Sequence, residues 1–573
     1  MQETPTKWIL PDPVSPEAVV DGDVGLPPIL RQLLHQRGIR DPKDVEQFIN
    51  PKLRDLSDPF DIPEMDRAVE RIFEAVDRRE SVCIFGDYDV DGVTSVALVQ
   101  RVLRDYGIEA RHFIPVRSSE GYGLGQLALE RCMAEGPKPD LLVAVDCGTA
   151  SVEEIAGLRR EGIDVVVVDH HEPSQKGRPP CNAFVNPKSE AADGYLSNLC
   201  AAGVAFKLAH ALLKTRTIEG IDREEYLRDL LELVALGTIA DIVPMTGENR
   251  ILVSHGLRRL PYTRRPGLRA LQDICGLNGH ATSMDIGFRL GPRINAAGRM
   301  DNPLDALEIL LTECRRTAFD LADCLEQYNR ARQACELQIR DEAKEQLSAQ
   351  NFDPARDSVI VLGSRDWHPG VVGIVASRLM RQYYRPAFVV AFDDQGLGKG
   401  SGRSVEGVSL VAAIEHCRNL LDAGGGHEMA AGISVREDKF AEFRKCFGEF
   451  VKTTFAPELL RPTLRLDAEL SLDQLSLDFL SSYERLQPFG NGNPQPSFFV
   501  RDVHLARPPA HLRNNHLRLF LRQGYCEHDA MFFSGGDRPL PDPPWDVAFT
   551  IDRNTFRGQT RLQMVIKDIR AAE

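Results

Sequence analysis

Three aspartates stand together in Gly86-Asp87-Tyr88-Asp89-Val90-Asp91-Gly92, directly after the apolar run Ser81–Phe85. A second apolar run, Leu141–Val145, ends in Asp146-Cys147-Gly148, and a third, Ile163–Val168, ends in Asp169-His170-His171. A further acid, Asp241, follows the apolar stretch LLELVALGTIA. Crowded carboxylates repel one another and lose hydration, which is costly unless cations bind. Asp combined with His suits Mn²⁺, and Mg²⁺ where carboxylates are numerous enough. Two ions bridged by a shared carboxylate can activate water and stabilise the attacking and leaving oxygens of a phosphoryl centre. Each cluster alone has a plainer reading: a solvated turn for the Asp triplet, a structural pair for the histidines, a helix end for Asp241. The D-x-D-x-D-G spacing also suggests an EF-hand, but Leu98 stands where the bidentate Glu belongs and a strand pattern precedes the loop. Three clusters at three run ends together favour a metal-dependent phosphoester hydrolase. There is no H-E-x-x-H metalloprotease motif and no G-x-x-x-x-G-K-[ST] loop.

The elements that must position these residues are apolar runs alternating with amphipathic helical patterns such as VTSVALVQRVLRDYG and VEEIAGLRREG. That alternation predicts a parallel sheet covered on both faces, with ligands beyond the carboxyl ends of its strands. Residues 1–65 form an N-terminal extension rich in Pro and Asp, with a short helical pattern in PPILRQLLHQRGI. The catalytic region spans 66–302. A linker at 303–352, without Gly or Pro from 304 to 349, is either one long helix or two shorter ones. A second α/β region occupies 353–455, and turn-rich alternating segments at 456–573 predict a small β-barrel or sandwich. With 573 residues, several domains are expected. The 12 cysteines form no CxxC pair and read as small buried thiols. The net charge of −15 disfavours a nucleic-acid partner only weakly, because metal-binding aspartates contribute to it and their ions would neutralise it. No apolar stretch approaches the roughly 20 residues of a membrane span. The N-terminus lacks a basic, then apolar, leader, so a cytoplasmic location is expected.

The Asp87–Gly92 loop, followed by Asp146, Asp169-His170-His171 and Asp241, resembles the four motifs of the DHH phosphoesterase superfamily. Arg117 in IPVRSSEGYGL, GPRINAAGRM (291–300), WHPGVVGIVASRL (367–379), SGRS (401–404), GGGHEMAAG (424–432) and LQPFGNGNPQPSF (486–498) narrow the likeness. Together they resemble the superfamily's bacterial single-stranded-DNA exonucleases, from about residue 45 to the end. The resemblance implies two α/β domains, DHH and DHHA1, joined by a long helix around a central cleft, plus a C-terminal OB-fold. It implies two Mn²⁺ or Mg²⁺ ions held by Asp89, Asp91, Asp146, His170 and Asp241, with Asp87 a ligand or a supporting acid. Asp169 would orient the histidines, His171 would face the substrate phosphate and His427 would reach the scissile region. Arg117, Arg293, Asn295, Ser401 and Arg403 would contact substrate, including a 5′-terminal phosphate. Many relatives carry a His where Phe85 stands here. In the C-terminal domain Phe556 and Phe520 are available to stack on bases, although barrel core is the stronger expectation for Phe520. The implied activity is 5′→3′ exonuclease action on single-stranded DNA in repair and recombination, with single-strand-binding protein and a helicase as partners. Two rivals are an enzyme for small phosphoester substrates and a non-catalytic scaffold. The chain is longer than the first requires, and it keeps every acid that the second would have lost.

Overall fold

The computed structural model describes every residue except 1–5, 13–24, 174–176, 190–193, 278, 301, 557 and 573, and the side chains of 118 and 556. The chain divides into a catalytic unit, Leu53–Leu460 with Gly490–Gly492, and a second unit made of the remaining residues at both ends.

The first sheet of the catalytic unit is all parallel. Its strands are Val82–Phe85, Arg111–Phe113, Leu141–Val145, Asp164–Val168 and Ala183–Val185. In space they run second, first, third, fourth, fifth. Both faces are covered, which is why the sequence shows unbroken apolar runs rather than alternation. Ile84, Val143 and Val166 enter one core, while Cys83, Phe85, Leu142 and Val165 enter the other. The order reverses between the strand ending at Phe85 and the strand ending at Val145, and such a switch point opens a crevice beyond the strand ends. The two strands flanking it deliver Asp87 and Asp146. The short strands Arg111–Phe113 and Ala183–Val185 are not anticipated by the sequence. The second of them matters to the site, because its Val185 carbonyl accepts the Asp169 amide at 3.0 Å.

The linker is two helices, Leu304–Leu311 and Arg315–Ala349. The second has 35 residues, about 50 Å at 1.5 Å per residue. Its apolar positions recur every three or four residues. Ala318, Ala322 and Leu325 enter the first domain's core, while Ile339, Ala343 and Leu347 enter the second domain's. That second domain holds a mixed sheet. Ile360–Ser364 and Ala387–Phe392 are parallel, and the remaining strands, Leu397–Arg403, Ala423–Gly426 and Ala430–Arg436, pair antiparallel.

In the other unit, strands Phe498–Leu512, His516–Gln523, Cys526–Phe532, Gln559–Ala571 and Trp545–Phe556 close on themselves as a five-stranded barrel, an OB-fold. The N-terminal residues complete it. Lys7–Ile9 pairs in parallel with Thr463–Arg465. The helices Pro28–Gln36 and Pro42–Ile49 contribute Leu30, Leu33, Leu34, Val45 and Ile49 to the barrel core. Among the described residues no helix is long and apolar enough to cross a membrane.

Candidate metal centre and DNA-binding residues

Each site residue is placed by a distinct local device. Asp89 caps the helix Val90–Asp105, accepting the Gly92 amide at 3.0 Å. Asp91, in the first turn of that helix, accepts the amides of Ala201 at 2.7 Å and Ala202 at 2.9 Å. These amides open the helix Ala201–Thr215, whose N-terminus favours a carboxylate. Such close approach needs Gly237 in the adjacent helix, because a Cβ there would stand 2.6 Å from Asp91 Oδ1. Asp146 ends its strand in the left-handed region, at φ +59°. Asp241 caps the C-terminal end of the helix Arg223–Ala240.

These devices bring the acids and histidines of all four sequence motifs together. Asp87, Asp89 and Asp146 can offer three carboxylate oxygens within 4.8 Å of one another, as can Asp91, His170 and Asp241 with two oxygens and a ring nitrogen. His170 Nε2 lies 3.3 Å from Asp146 Oδ1, 3.7 Å from Asp241 Oδ2 and 3.8 Å from Asp91 Oδ2, so the two groups adjoin at Asp146. Both oxygens of Asp87, Oδ1 of Asp146 and both ring nitrogens of His170 are buried without a hydrogen-bond partner. Buried polar atoms left open are expensive. A cluster of them aimed at one another, with hard oxygens and imidazole as donors, fits a pair of divalent cations.

The electrostatics agree. Burial, then the charge of Asp89, pushes the Asp87 carboxyl up to about 8. Burial and Asp91 do the same to Asp241, also to about 8. Burial raises Asp91, and burial reinforced by Asp91 and Asp89 raises Asp146. Burial lowers His170, keeping its ring neutral and able to ligate. Asp169 differs. Burial would raise it, but the hydrogen bond and charge of His171 outweigh that and hold it below the ordinary carboxylate range. It accepts from the Thr149 amide, the His170 amide and His171 Nδ1, the last at 2.7 Å. Asp169 thus anchors both histidines. Phe85 is buried and stacked on Phe113 with centroids 5.1 Å apart.

Tyr122, which sequence reasoning missed, meets His171 Nε2 at 2.7 Å through its hydroxyl. It sits between Gly121 (φ +87°) and Gly123 (φ +67°), two turn positions in the motif that carries Arg117. Arg117 lies over the ring of Tyr88, 5.4 Å from its centroid. Beside them is a cavity of about 210 Å³ lined by Arg117, Gly298, Arg299, His368, Lys399 and Ser401, among others. Both domains of the catalytic unit contribute to it. Burial, then the neighbouring Arg117, lowers both Arg299, to about 10, and Arg403. A concentration of half-buried guanidinium groups calls for an anion.

The other expected substrate residues lie elsewhere. Arg293 donates to Glu326 at 2.8 Å and to the Arg289 carbonyl at 2.7 Å, half-buried against the long helix. Asn295 accepts the Val90 amide at 3.2 Å and so props the Asp-rich loop from behind. His427 is exposed on the turn between Ala423–Gly426 and Ala430–Arg436 and is not among the cavity's lining residues. The expectation of a core Phe520 is corrected. Leu517, Leu519 and Leu521 point inward, which puts Phe520 on the outer face with Arg507 3.8 Å and Arg518 5.3 Å from its centroid. The side chain of Phe556 lies outside the described residues.

Comparison with known proteins places these features in a family. Residues 81–238 match the DHH family, N-terminal domain, residues 356–453 the DHHA1 domain and residues 466–568 the RecJ OB domain. The single-stranded-DNA-specific exonuclease RecJ of Haemophilus influenzae is 34% identical over 96% of this chain and 97% of its own. That of Bacillus subtilis is 34% identical over 95% of this chain and 68% of its own. The crystal structure of RecJ in complex with Mn²⁺ from Thermus thermophilus superposes with a TM-score of 0.83 at 30% identity, covering 99% of this chain and 80% of that one. With a DHH domain, a DHHA1 domain, a RecJ OB domain and this identity over nearly its full length, the chain belongs to the RecJ exonuclease family.

Proposed function

We propose that this chain hydrolyses single-stranded DNA from its 5′ end, releasing 5′-mononucleotides, with two Mn²⁺ or Mg²⁺ ions in the Asp/His cluster. The observation that carries the reading is the pair of adjoining three-residue groups that meet at Asp146, with their open buried oxygens and ring nitrogens. Asp87, Asp89 and Asp146 would hold one ion and Asp91, His170 and Asp241 the other. When bound, such ions supply Lewis-acid polarisation of the scissile phosphate and activation of the attacking water.

The remaining residues bind and orient. Asp169 fixes His171 through Nδ1, so that Nε2 faces outward. In the protonated ring that nitrogen carries a proton, which the Tyr122 hydroxyl accepts here at 2.7 Å and which a non-bridging phosphate oxygen would accept in its place when substrate is bound. Arg117, Arg299, Lys399, Ser401 and Arg403 would hold the 5′-terminal phosphate, Arg through its planar fork of donors. With the end of the strand held in this cavity, the next phosphodiester is the one presented to the cluster, which gives polarity and one nucleotide per turnover. Two domains closing on one strand leave a duplex no room. On the barrel, Phe520 flanked by Arg507 and Arg518 would stack a base and meet the adjacent phosphate.

A role in repair and recombination, cooperation with single-strand-binding protein and a helicase, and a cytoplasmic location complete the reading. It is tested by incubating the purified protein and Mn²⁺ with single strands labelled at either end and with blunt duplex. Loss of the 5′ label as mononucleotide is expected. Equal digestion from both ends, or of the duplex, would overturn it.

A further inference from the structure

The motif LQPFGNGNPQPSF contains Gly490–Gly492, which clusters with the catalytic unit although Phe489 and Asn493 on either side belong to the other. Asn491 and its neighbours meet the residues just after Asp241. Asn491 Nδ2 donates to the Ile242 carbonyl at 3.0 Å. The Met245 amide donates to the Asn491 carbonyl at 2.6 Å. Gly492, at φ +72°, suits this approach: a Cβ there would stand 3.3 Å from Pro244 Cβ.

The turn so clamped is an uncomfortable one. Ile242 adopts φ +62°, a conformation that a β-branched residue rarely takes. A left-handed residue just past a helix end is ordinary when it is glycine or asparagine. Isoleucine has no such excuse. Its side chain is 69% exposed, so packing does not hold it there. Strained backbone of this kind persists only where its surroundings impose it, and the bond from Asn491 falls on the strained residue's own carbonyl. One residue earlier stands Asp241, whose amide still closes the helix on the Gly237 carbonyl at 2.9 Å and whose carboxylate faces His170. Relaxation of Ile242 into the β region would rotate the peptide that joins it to Asp241.

We propose that Asn491 is a positioning residue for the metal centre: by holding the Ile242 carbonyl it keeps the helix-terminating turn in place and fixes Asp241 beside Asp91 and His170. The proposal rests on Asp241 being a ligand.

The test measures Mn²⁺ binding to the full-length protein without DNA, by calorimetry or from the free-Mn²⁺ paramagnetic resonance signal, alongside exonuclease rates. Asn491→Ala is expected to weaken Mn²⁺ binding roughly 10-fold, the usual cost of losing a group that orients a ligand, with the rate falling in step. Ile242→Asn, which suits the left-handed region, is expected to bind as the wild type does. The double variant Asn491→Ala/Ile242→Asn is expected to recover to within about 3-fold of Ile242→Asn, because the turn no longer needs the clamp. Unchanged Mn²⁺ affinity in Asn491→Ala, or an equal loss in the Ile242→Asn background, would overturn the proposal. Asp241→Ala separates the two levels. If it binds Mn²⁺ like the wild type, the ligand assignment itself has failed, and with it the reason for a clamp.

Discussion

Replacing Asp146 by Asn should make the metal-free protein more stable and the metal-loaded protein less stable than the wild type. The substitution keeps shape, and Asn tolerates the left-handed backbone at φ +59°, so it changes little besides charge. Asp146 can place an oxygen within 4.8 Å of those of Asp87 and Asp89. At 4.8 Å a pair of like charges costs about 3.5 kcal/mol with an effective dielectric of 20. Partial protonation and the nearby His170 reduce this, leaving a gain of about 1–3 kcal/mol on removing the charge. For a unit of this size that is roughly 1–4 °C in melting temperature. With Mn²⁺ at about 1,000 times its dissociation constant, binding stabilises the wild type by about 4.1 kcal/mol, and the variant should lose most of that. Melting curves in EDTA and in Mn²⁺ should therefore cross over. Exonuclease activity should fall by at least about 100-fold, as for loss of a group that organises transition-state charge. A variant that melts below the wild type in EDTA would refute the electrostatic account, and one that keeps its activity would refute the assignment of Asp146.

Four further outcomes are expected. Tyr122→Phe, which removes only the hydroxyl on His171, should lower kcat roughly 3–10-fold with little change in KM; an unchanged kcat would make Tyr122 a bystander. Arg299→Ala should erase the preference for 5′-phosphorylated over 5′-hydroxyl strands, whereas Arg293→Ala should lower the melting temperature and keep that preference, since Arg293 is paired with Glu326; competition between the two strand types reads both. Phe520→Ala should weaken single-strand binding by about 1–3 kcal/mol and leave the salt dependence of binding nearly unchanged, measured by fluorescence anisotropy across a salt series. His210 is held down at about 4 by burial and by Lys207 and Arg223. Because its folded value lies below the unfolded one near 6.5, its contribution is complete above pH 6.5 and is lost as pH falls toward 4. Discounted for its partial exposure, the loss at pH 5 is roughly 1 kcal/mol, and His210→Gln should flatten that part of the stability profile in urea titrations at pH 7 and 5.

The strand-end acids were legible because a parallel sheet buried on both faces writes its strands as unbroken apolar runs, and the residue after each run stands at the ligand edge. Short edge strands leave no such mark: three residues, RHF or AFV, carry too little pattern, yet the second aligns Asp169. Nor could the sequence show that Asp91 is seated on amides more than a hundred positions later, since backbone donors have no residue signature. Arg293 and Arg299 stand in the same motif, and only the neighbouring Glu326 separates an arginine paired with an acid from one that lines the cavity. Phe520 was a misreading that the sequence could have prevented. In HLRLFLRQ the leucines alternate, and a period of two puts Phe520 on the same face as Arg518 and Arg522.

The pairing of Lys7–Ile9 with Thr463–Arg465, and the barrel core shared by the first and last residues, set the order in which the chain can mature. The catalytic unit is an insertion of about 400 residues within the other unit. At roughly 5–20 residues per second on the ribosome, Leu30, Leu33 and Leu34 wait on the order of 20–110 s for their partners, Ala468 to Ile569, to be made. During that interval the catalytic unit can already have folded. The amino-terminal helices therefore begin life as a sticky apolar segment, a target for chaperones until the last strand emerges.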